Sequence, residues 1–296
     1  MTLDASIAAR LLAAGVEPED TERVIRGALD EDFRCGPDLT TAATAGPGAR
    51  AVACVVARQP GVLAGLPVAL AVLDAAGVPP AAAKVLRADG DLLDAGDEVL
   101  RIRGPLREML GAERTLLNFV THLSGIATAT RAWADAVAGT GCTLRDTRKT
   151  TPGLRQLEKY AVRCGGGVNH RMGLGDAALI KDNHVAAAGG IAAAIRAVRA
   201  AAPSLPLEVE CDTLPQVGEA LAAGAGLILL DNMGLADLRA AVTLAREYPA
   251  VRLEASGGLR LDTARAVAET GVGFIAVGAL THSSPALDLG LDVLAC

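Results

Sequence analysis

The sequence predicts a parallel α/β barrel preceded by a mixed α/β region, on three observations. From about residue 144 onward, short apolar runs alternate with amphipathic stretches of helical period. Each apolar run ends in charged or glycine residues, and an α/β barrel gathers its chemistry at the C-terminal ends of its strands. No Gly-x-Gly-x-x-Gly follows the first run, which argues against an open dinucleotide-binding sheet.

The chain opens with a helical region, Ala5 to Leu29, followed by a turn-rich stretch from Asp32 to Arg50. Strand-like runs come next at Ala51 to Ala57, Lys84 to Arg87 and Glu98 to Arg103, with a helix between Leu66 and Ala76. Asp89-Gly90 and Gly96-Asp97 are turn signals between them. Gly104-Pro105 is expected to start a long helix, since proline is tolerated in a first turn. Leu106, Met109, Leu110, Leu117, Val120 and Leu123 give that helix one apolar stripe, and Arg114, Asn118 and His122 mark another face. The barrel strands are then expected around Leu144, Ala177 to Ile180, Leu207 to Val209, Leu227 to Leu230, Val251 to Leu253 and Phe274 to Val277. Connections of roughly 20 residues or more leave room for the crossover helix that parallel strands need.

Composition narrows the function classes. The chain has 296 residues, a net charge of −6 and only 2% aromatic residues. An acidic, aromatic-poor protein is a poor candidate for nucleic acid, which is bound by basic surfaces and stacking rings. The apolar stretches at Gly65 to Val78 and after Val185 are interrupted by Asp74 and by Arg196 and Arg199, too early for a membrane span. The N-terminus lacks a signal-peptide pattern. Six cysteines, at 35, 54, 142, 164, 211 and 296, form no Cys-x-x-Cys pair and read as buried reduced thiols. These features suit the cytoplasm.

Charge is distributed unevenly over the strand ends. Thr147, Arg148 and Lys149 follow the first strand, His170 and Arg171 lie in a loop after three glycines, and Lys181-Asp182-Asn183-His184 closes the next strand. If the barrel forms, Arg148, Lys149, Arg171 and Lys181 meet at one mouth of an otherwise acidic protein, which implies a small polyanionic ligand. The competing reading is a set of surface charges and ion pairs. Glu210, Asp212 and Asp231 end the third and fourth strands and suit Mg²⁺, a hard ion that takes oxygen ligands and substrate phosphates. They also suit a purely structural pairing with the cations. Ser256-Gly257-Gly258 and Val277-Gly278-Ala279 end the last two strands, where barrels commonly hold a phosphate on backbone N–H groups.

Taken together, these motifs resemble the quinolinate phosphoribosyltransferase family over nearly the whole chain. The resemblance begins at Leu29 to Asp32 with Asp38 to Thr41, where Cys35 interrupts the usual pattern. It sharpens in Ala112 to Asn118 and Leu123 to Thr128, and is strongest in Asp146 to Arg155, Lys159 to Val162 and Gly165 to His184. Glu208 to Glu210, Leu229 to Asn232 and the two glycine motifs follow in the family's order.

The resemblance implies an incomplete, seven-stranded barrel over residues 114–280 beside an N-terminal α/β sandwich, residues 1–113, rejoined by the tail 281–296. It implies transfer of phosphoribosyl from phosphoribosyl pyrophosphate to quinolinate with decarboxylation, giving nicotinate mononucleotide, pyrophosphate and CO₂. Arg114, Arg148, His170, Arg171 and Lys181 would clamp the quinolinate carboxylates, with Thr147 beside them. Lys149 would sit between the two substrates, and Glu210 and Asp231 would hold Mg²⁺ mainly through substrate and water. On the same grounds Lys149, Lys181, Glu210 and Asp231 are the catalytic candidates, and Ser256 to Gly258 with Val277 to Ala279 bind the 5-phosphate. A homodimer or hexamer is implied, with Arg114 donated across the subunit interface. Three alternatives stand beside this reading: a paralogue using another pyridine acid, a phosphate-ligand sensor without turnover, and an aldolase-like barrel using Lys181 as a Schiff-base former.

Overall fold

The computed structural model describes residues 3–295, so Cys296 lies outside the described residues. The chain divides into two compact units. The first comprises Met1–Ala129, Thr150–Gly166 and Thr281–Cys296, and the second comprises Thr130–Lys149 and Gly167–Leu280. The tail from 281 thus belongs with the N-terminal unit. The sequence reading drew its boundary at 113, whereas the compact units divide at 129, and residues 150–166 fall in the first unit.

The strands in chain order are β1 (Arg50–Ala57), β2 (Gly61–Val62), β3 (Ala83–Val85), β4 (Leu92–Leu93), β5 (Glu98–Pro105), β6 (Thr143–Arg145), β7 (Ala178–Ile180), β8 (Leu207–Cys211), β9 (Leu227–Asp231), β10 (Arg252–Ser256), β11 (Phe274–Ala276) and β12 (Leu289–Ala295). In the first unit β12, β1, β5 and β3 form one antiparallel sheet in that order. Its centre is β1, rich in alanine and valine and flanked on both sides: Val55 faces Leu291 on one neighbour and Leu100 on the other. β2 and β4 make a separate two-stranded ladder.

Three local features depart from the sequence reading. The N-terminal helical region is two helices, Ala5–Ala13 and Pro18–Asp32, parted at Gly15, which has φ +67°. Residues expected only as turns include the helix Leu39–Thr44, capped by the Asp38 carboxylate on the Thr41 N–H at 2.9 Å. The long helix runs Leu106–Val137, and Gly104 and Pro105 belong to β5, because the ladder with β1 continues to the Arg50–Pro105 pair. Proline needs no ladder donor at the end of a strand, so it closes β5 without penalty. Within that helix Gly125 is obligatory: a Cβ there would stand 2.1 Å from the Pro285 carbonyl.

The helix Leu66–Ala75 buries Leu66 and every residue from Val68 to Leu73. A helix apolar on all sides must be enclosed. Its N–H groups at Gly65 and Leu66 donate to the Asp89 carboxylate at 3.1 and 3.2 Å, and the Tyr160 hydroxyl donates to the same group.

In the second unit six parallel strands run in the order β6, β11, β10, β9, β8, β7. β6 is also bridged in parallel through Arg145 to Val168. The expected seventh strand is therefore reduced to a single bridge. The reason is local: Gly165 to Gly167 and the turn-forming residues after His170 supply no apolar run to extend it. Successive strands are joined through helices such as Ile191–Ala201, Leu214–Ala222 and Leu235–Ala245, each burying an apolar stripe. All five described cysteines are free. Cys54 and Cys211 are buried, but Cys35 is exposed and Cys142 and Cys164 are half-buried, which corrects the uniform expectation of buried thiols. Among the described residues no helix is long and apolar enough to cross a membrane.

Candidate active site

A strand turns successive side chains to opposite faces, so residues two apart share one face. Along this rule Leu179 with Lys181, Leu229 with Asp231, and Glu254 with Ser256 come to one side of the parallel sheet, joined by Thr147 and Glu210. They line a cavity of about 390 Å³ together with Arg148, Lys149, His170, Arg171 and Ala276. Nearly every charged strand-end residue singled out in the sequence of this unit is therefore brought to one place.

The cations are held differently. Lys181 pairs with Glu210 across β7 and β8. Arg171 donates from Nη1 to the Ala177 carbonyl at 2.8 Å. Burial, and then the neighbouring Arg148 guanidinium, holds Arg171 below the ordinary guanidinium value. Two like charges so close repel unless an anion lies between them. The Nε atoms of both Arg148 and Arg171 are buried without a hydrogen-bond partner. Buried donors normally find acceptors, so these two mark where a ligand's oxygens belong. Lys149 is exposed, and its backbone N–H donates to the Thr147 hydroxyl at 3.0 Å.

His170 lines the cavity, but both its ring nitrogens are engaged within the protein. Nδ1 accepts the Arg171 N–H at 2.7 Å and so carries no proton, which places the ring proton on Nε2. Nε2 faces Glu208 Oε2 at 2.8 Å and Glu254 Oε1 at 3.5 Å. Glu254 in turn binds Arg145 Nη1 at 2.5 Å. The loop itself is fixed by Asp146, fully buried, which accepts the His170 N–H at 2.8 Å and the Asn169 amide at 2.5 Å.

His170, Glu208 and Glu254 have ligand atoms close enough for a metal. The tautomer opposes that reading, because a metal needs the Nε2 lone pair where this ring carries its proton. Glu208 and Glu254 were missed as site residues. Their signal was the period of two, which sets Glu208 below Glu210 and Glu254 below Ser256.

Glu210 and Asp231, at the ends of the adjacent strands β8 and β9, offer carboxylates to the same cavity. Asp231 also accepts from the Asn232 amide at 2.6 Å. An all-oxygen donor pair fits Mg²⁺. Asp212 is not part of this set. It is exposed and lies one residue past the end of β8, where the chain leaves the strand and its N–H donates to the Gln216 side-chain oxygen at 2.8 Å in the capping turn. His184 is exposed and accepts the Lys181 N–H on Nδ1 at 3.0 Å, closing a helix N-terminus.

Ser256 lines the cavity, and Gly257 and Gly258 form the turn after it with φ +85° and +57°. A Cβ on Gly257 would stand 2.4 Å from the Asn232 Oδ1. Asn232 is itself left-handed at φ 54°, and its N–H donates to the Ser256 carbonyl at 2.9 Å. The two strand-end turns interlock. Val277 is buried with its N–H on the Arg145 carbonyl at 3.0 Å, Gly278 is half-buried, and Ala279 begins the short helix Ala279–His282. Arg114 belongs to the other unit, exposed on the helix Leu106–Val137; about two turns on, His122 Nε2 lies 2.9 Å from the buried Glu158.

A parallel sheet that gathers four cations and two facing carboxylates at its C-terminal strand ends, above glycine turns, defines a barrel enzyme for anionic, phosphorylated substrates. Sequence comparison gives the class its name. Residues 38–124 match the model of the quinolinate phosphoribosyl transferase N-terminal domain, and residues 126–292 match that of its C-terminal domain. The chain belongs to the quinolinate phosphoribosyl transferase family. It is 55% identical over 271 residues to the nicotinate-nucleotide pyrophosphorylase [carboxylating] of Mycobacterium leprae, covering 91% of this chain and 95% of that one. It is 39% identical to the human protein of the same name, covering 96% and 95%. The solved structure of the Francisella tularensis nicotinate-nucleotide pyrophosphorylase superposes with a TM-score of 0.87 at 38% identity, covering 93% of this chain and 96% of that one.

Proposed function

We infer that this protein transfers the phosphoribosyl group of phosphoribosyl pyrophosphate to quinolinate, releasing pyrophosphate and CO₂ and forming nicotinate mononucleotide for NAD synthesis. The observation that carries the reading is the pair of buried, unpartnered Nε donors of Arg148 and Arg171 in a cavity that also holds Lys149 and Lys181. A dicarboxylate fits such a pair, since guanidinium donors match carboxylate oxygens in geometry and charge. The family's name, quinolinate phosphoribosyl transferase, supports the same substrate.

Arg148, Arg171 and Lys181 bind the two carboxylates and present the ring nitrogen to the anomeric carbon; positioning of this kind removes several kcal/mol of barrier. Lys149, the exposed cation at the rim, bridges acid and diphosphate. Ser256 and the turns at Gly257, Gly258 and 277–279 receive the 5-phosphate. Glu210 and Asp231 would hold Mg²⁺, which would supply charge neutralisation for the leaving pyrophosphate. Transfer leaves a pyridinium, whose positive nitrogen stabilises the electron pair left on C2 when the carboxylate departs as CO₂, and a proton taken up from solvent then completes the C2–H bond. The fixed cations and the exclusion of water then suffice for decarboxylation. The assembly is a homodimer or hexamer in which Arg114 completes a neighbour's site, and the reaction takes place in the cytoplasm.

The test is turnover of quinolinate, nicotinate and nicotinamide with phosphoribosyl pyrophosphate and Mg²⁺, following nicotinate mononucleotide and CO₂. Turnover of nicotinate without CO₂, and none of quinolinate, would overturn the reading.

A further inference from the structure

Bordering the cavity, which His170 and Glu254 help to line, is a largely buried polar layer that the reaction above does not use. Arg145 comes from β6, Glu208 from β8 and Glu254 from β10, with the His170 ring between the two carboxylates. Arg145 also stacks over the Phe274 ring at 4.7 Å. Arg145 sets a cation against the two carboxyl groups of the layer. Burial, and then the nearness of Glu208, pushes Glu254 up to about 7.

The loop above it is pinned from three sides. Asp146 holds the His170 N–H, His170 Nδ1 holds the Arg171 N–H, and the Ala177 carbonyl holds the Arg171 guanidinium. We propose that His170 is a positioning residue for acid recognition: wedged between Glu208 and Glu254, its ring fixes the Arg171 backbone and so aims the Arg171 Nε into the cavity. This rests on the reading of Arg171 as a carboxylate clamp. It removes His170 from the groups that touch quinolinate and adds Glu208 and Glu254 as its supports.

Two substitutions separate the roles of the ring nitrogens. In His170→Asn the amide oxygen occupies the Nδ1 position and can still accept the Arg171 N–H. In His170→Gln the amide reaches the Nε2 position and the acceptor is lost. His170→Gln raises the quinolinate KM about tenfold, the value of one charge-supported hydrogen bond, and leaves the KM for phosphoribosyl pyrophosphate within about threefold. His170→Asn recovers most of that loss. Equal loss in both variants, with intact thermal melts, would mean that the imidazole itself touches the acid, and the proposal falls. No loss in either also overturns it.

Glu254→Gln tests the layer from its other side. The groups facing Glu254 are Arg145 and Cys142 at β6, His170 in the loop, Glu208 on β8 and Arg252 over the Phe274 ring. Arg148, Arg171, Lys181, Glu210 and Asp231 line the same cavity. In the wild type the quinolinate KM rises as pH passes about 7, because ionised Glu254 adds negative charge beside a site for an anion. Glu254→Gln lacks this limb, and a limb that survives unchanged contradicts the role given to Glu254. Arg171→Ala serves as the control. A normal quinolinate KM there sinks the clamp itself, whereas an impaired Arg171→Ala beside an unimpaired His170→Gln sinks only the positioning role.

Discussion

Arg171 and Asp231 both line the cavity, and their loss separates the two halves of the chemistry. Arg171 brings a buried guanidinium Nε that no protein group satisfies. Removing it in Arg171→Ala takes away a charge-assisted hydrogen bond of roughly 1.5–3 kcal/mol, so the quinolinate KM rises by about tenfold or more. Steady-state kinetics with each substrate varied in turn checks this, and unchanged quinolinate kinetics would remove Arg171 from the clamp. Asp231→Ala acts on the other half. It raises the Mg²⁺ and phosphoribosyl pyrophosphate concentrations needed for half-maximal rate and leaves quinolinate affinity, measured by direct titration, close to wild type. A selective loss of quinolinate binding would contradict that assignment. Both residues were legible in the sequence, Asp231 as a carboxylate directly after an apolar strand run and Arg171 as a cation in the glycine-bounded loop before β7. His170 was legible as a site residue but not in its role. Which nitrogen carries the proton depends on Arg171, Glu208 and Glu254 around it.

At the scale of elements, the turns after β9 and β10 are built as one piece. Gly257 at φ +85° packs against Asn232, and Asn232 donates back to the Ser256 carbonyl. Gly257→Ala forces both a left-handed alanine and a clash with the Asn232 side chain. The expected cost is roughly 1–3 kcal/mol, read as a lowered Tm together with a raised KM for phosphoribosyl pyrophosphate. A variant with an unchanged melt would show that the turn can relax. The strand runs around 144, 178, 207, 227, 252 and 274 were all visible as apolar stretches, since their burial on the sheet demands them. The seventh strand was implied only by resemblance and survives as the Arg145–Val168 bridge. The helix start at Leu106 was misplaced by two residues, because proline signals a boundary equally well at the end of a strand.

For the whole molecule, the proposed sharing of sites between subunits can be tested without a structure of the assembly. Arg114→Ala and Arg171→Ala chains would each be impaired alone. Mixed and reassembled, a shared-site dimer yields one intact site in each hybrid, which amounts to about a quarter of wild-type activity under random pairing. Activity no greater than the sum of the separate variants would place Arg114 in its own subunit's site or outside any site.

The sequence by itself determined the parallel α/β class, the order of the strand-end motifs and the identity of Arg148, Arg171, Lys181, Glu210 and Asp231 as candidates. It could do so because strand burial and the period of two are local properties of the chain. Only the tertiary structure decided that Asp212 and His184 stand outside the cavity, that residues 150–166 belong to the first unit, and that Glu208 and Glu254 lie beneath His170. Those outcomes depend on which groups meet across strands far apart in sequence. A buried carboxylate acquires its role from the partners that compensate its charge, and the partners of Glu254 lie about 109 and 84 residues away, at Arg145 and His170.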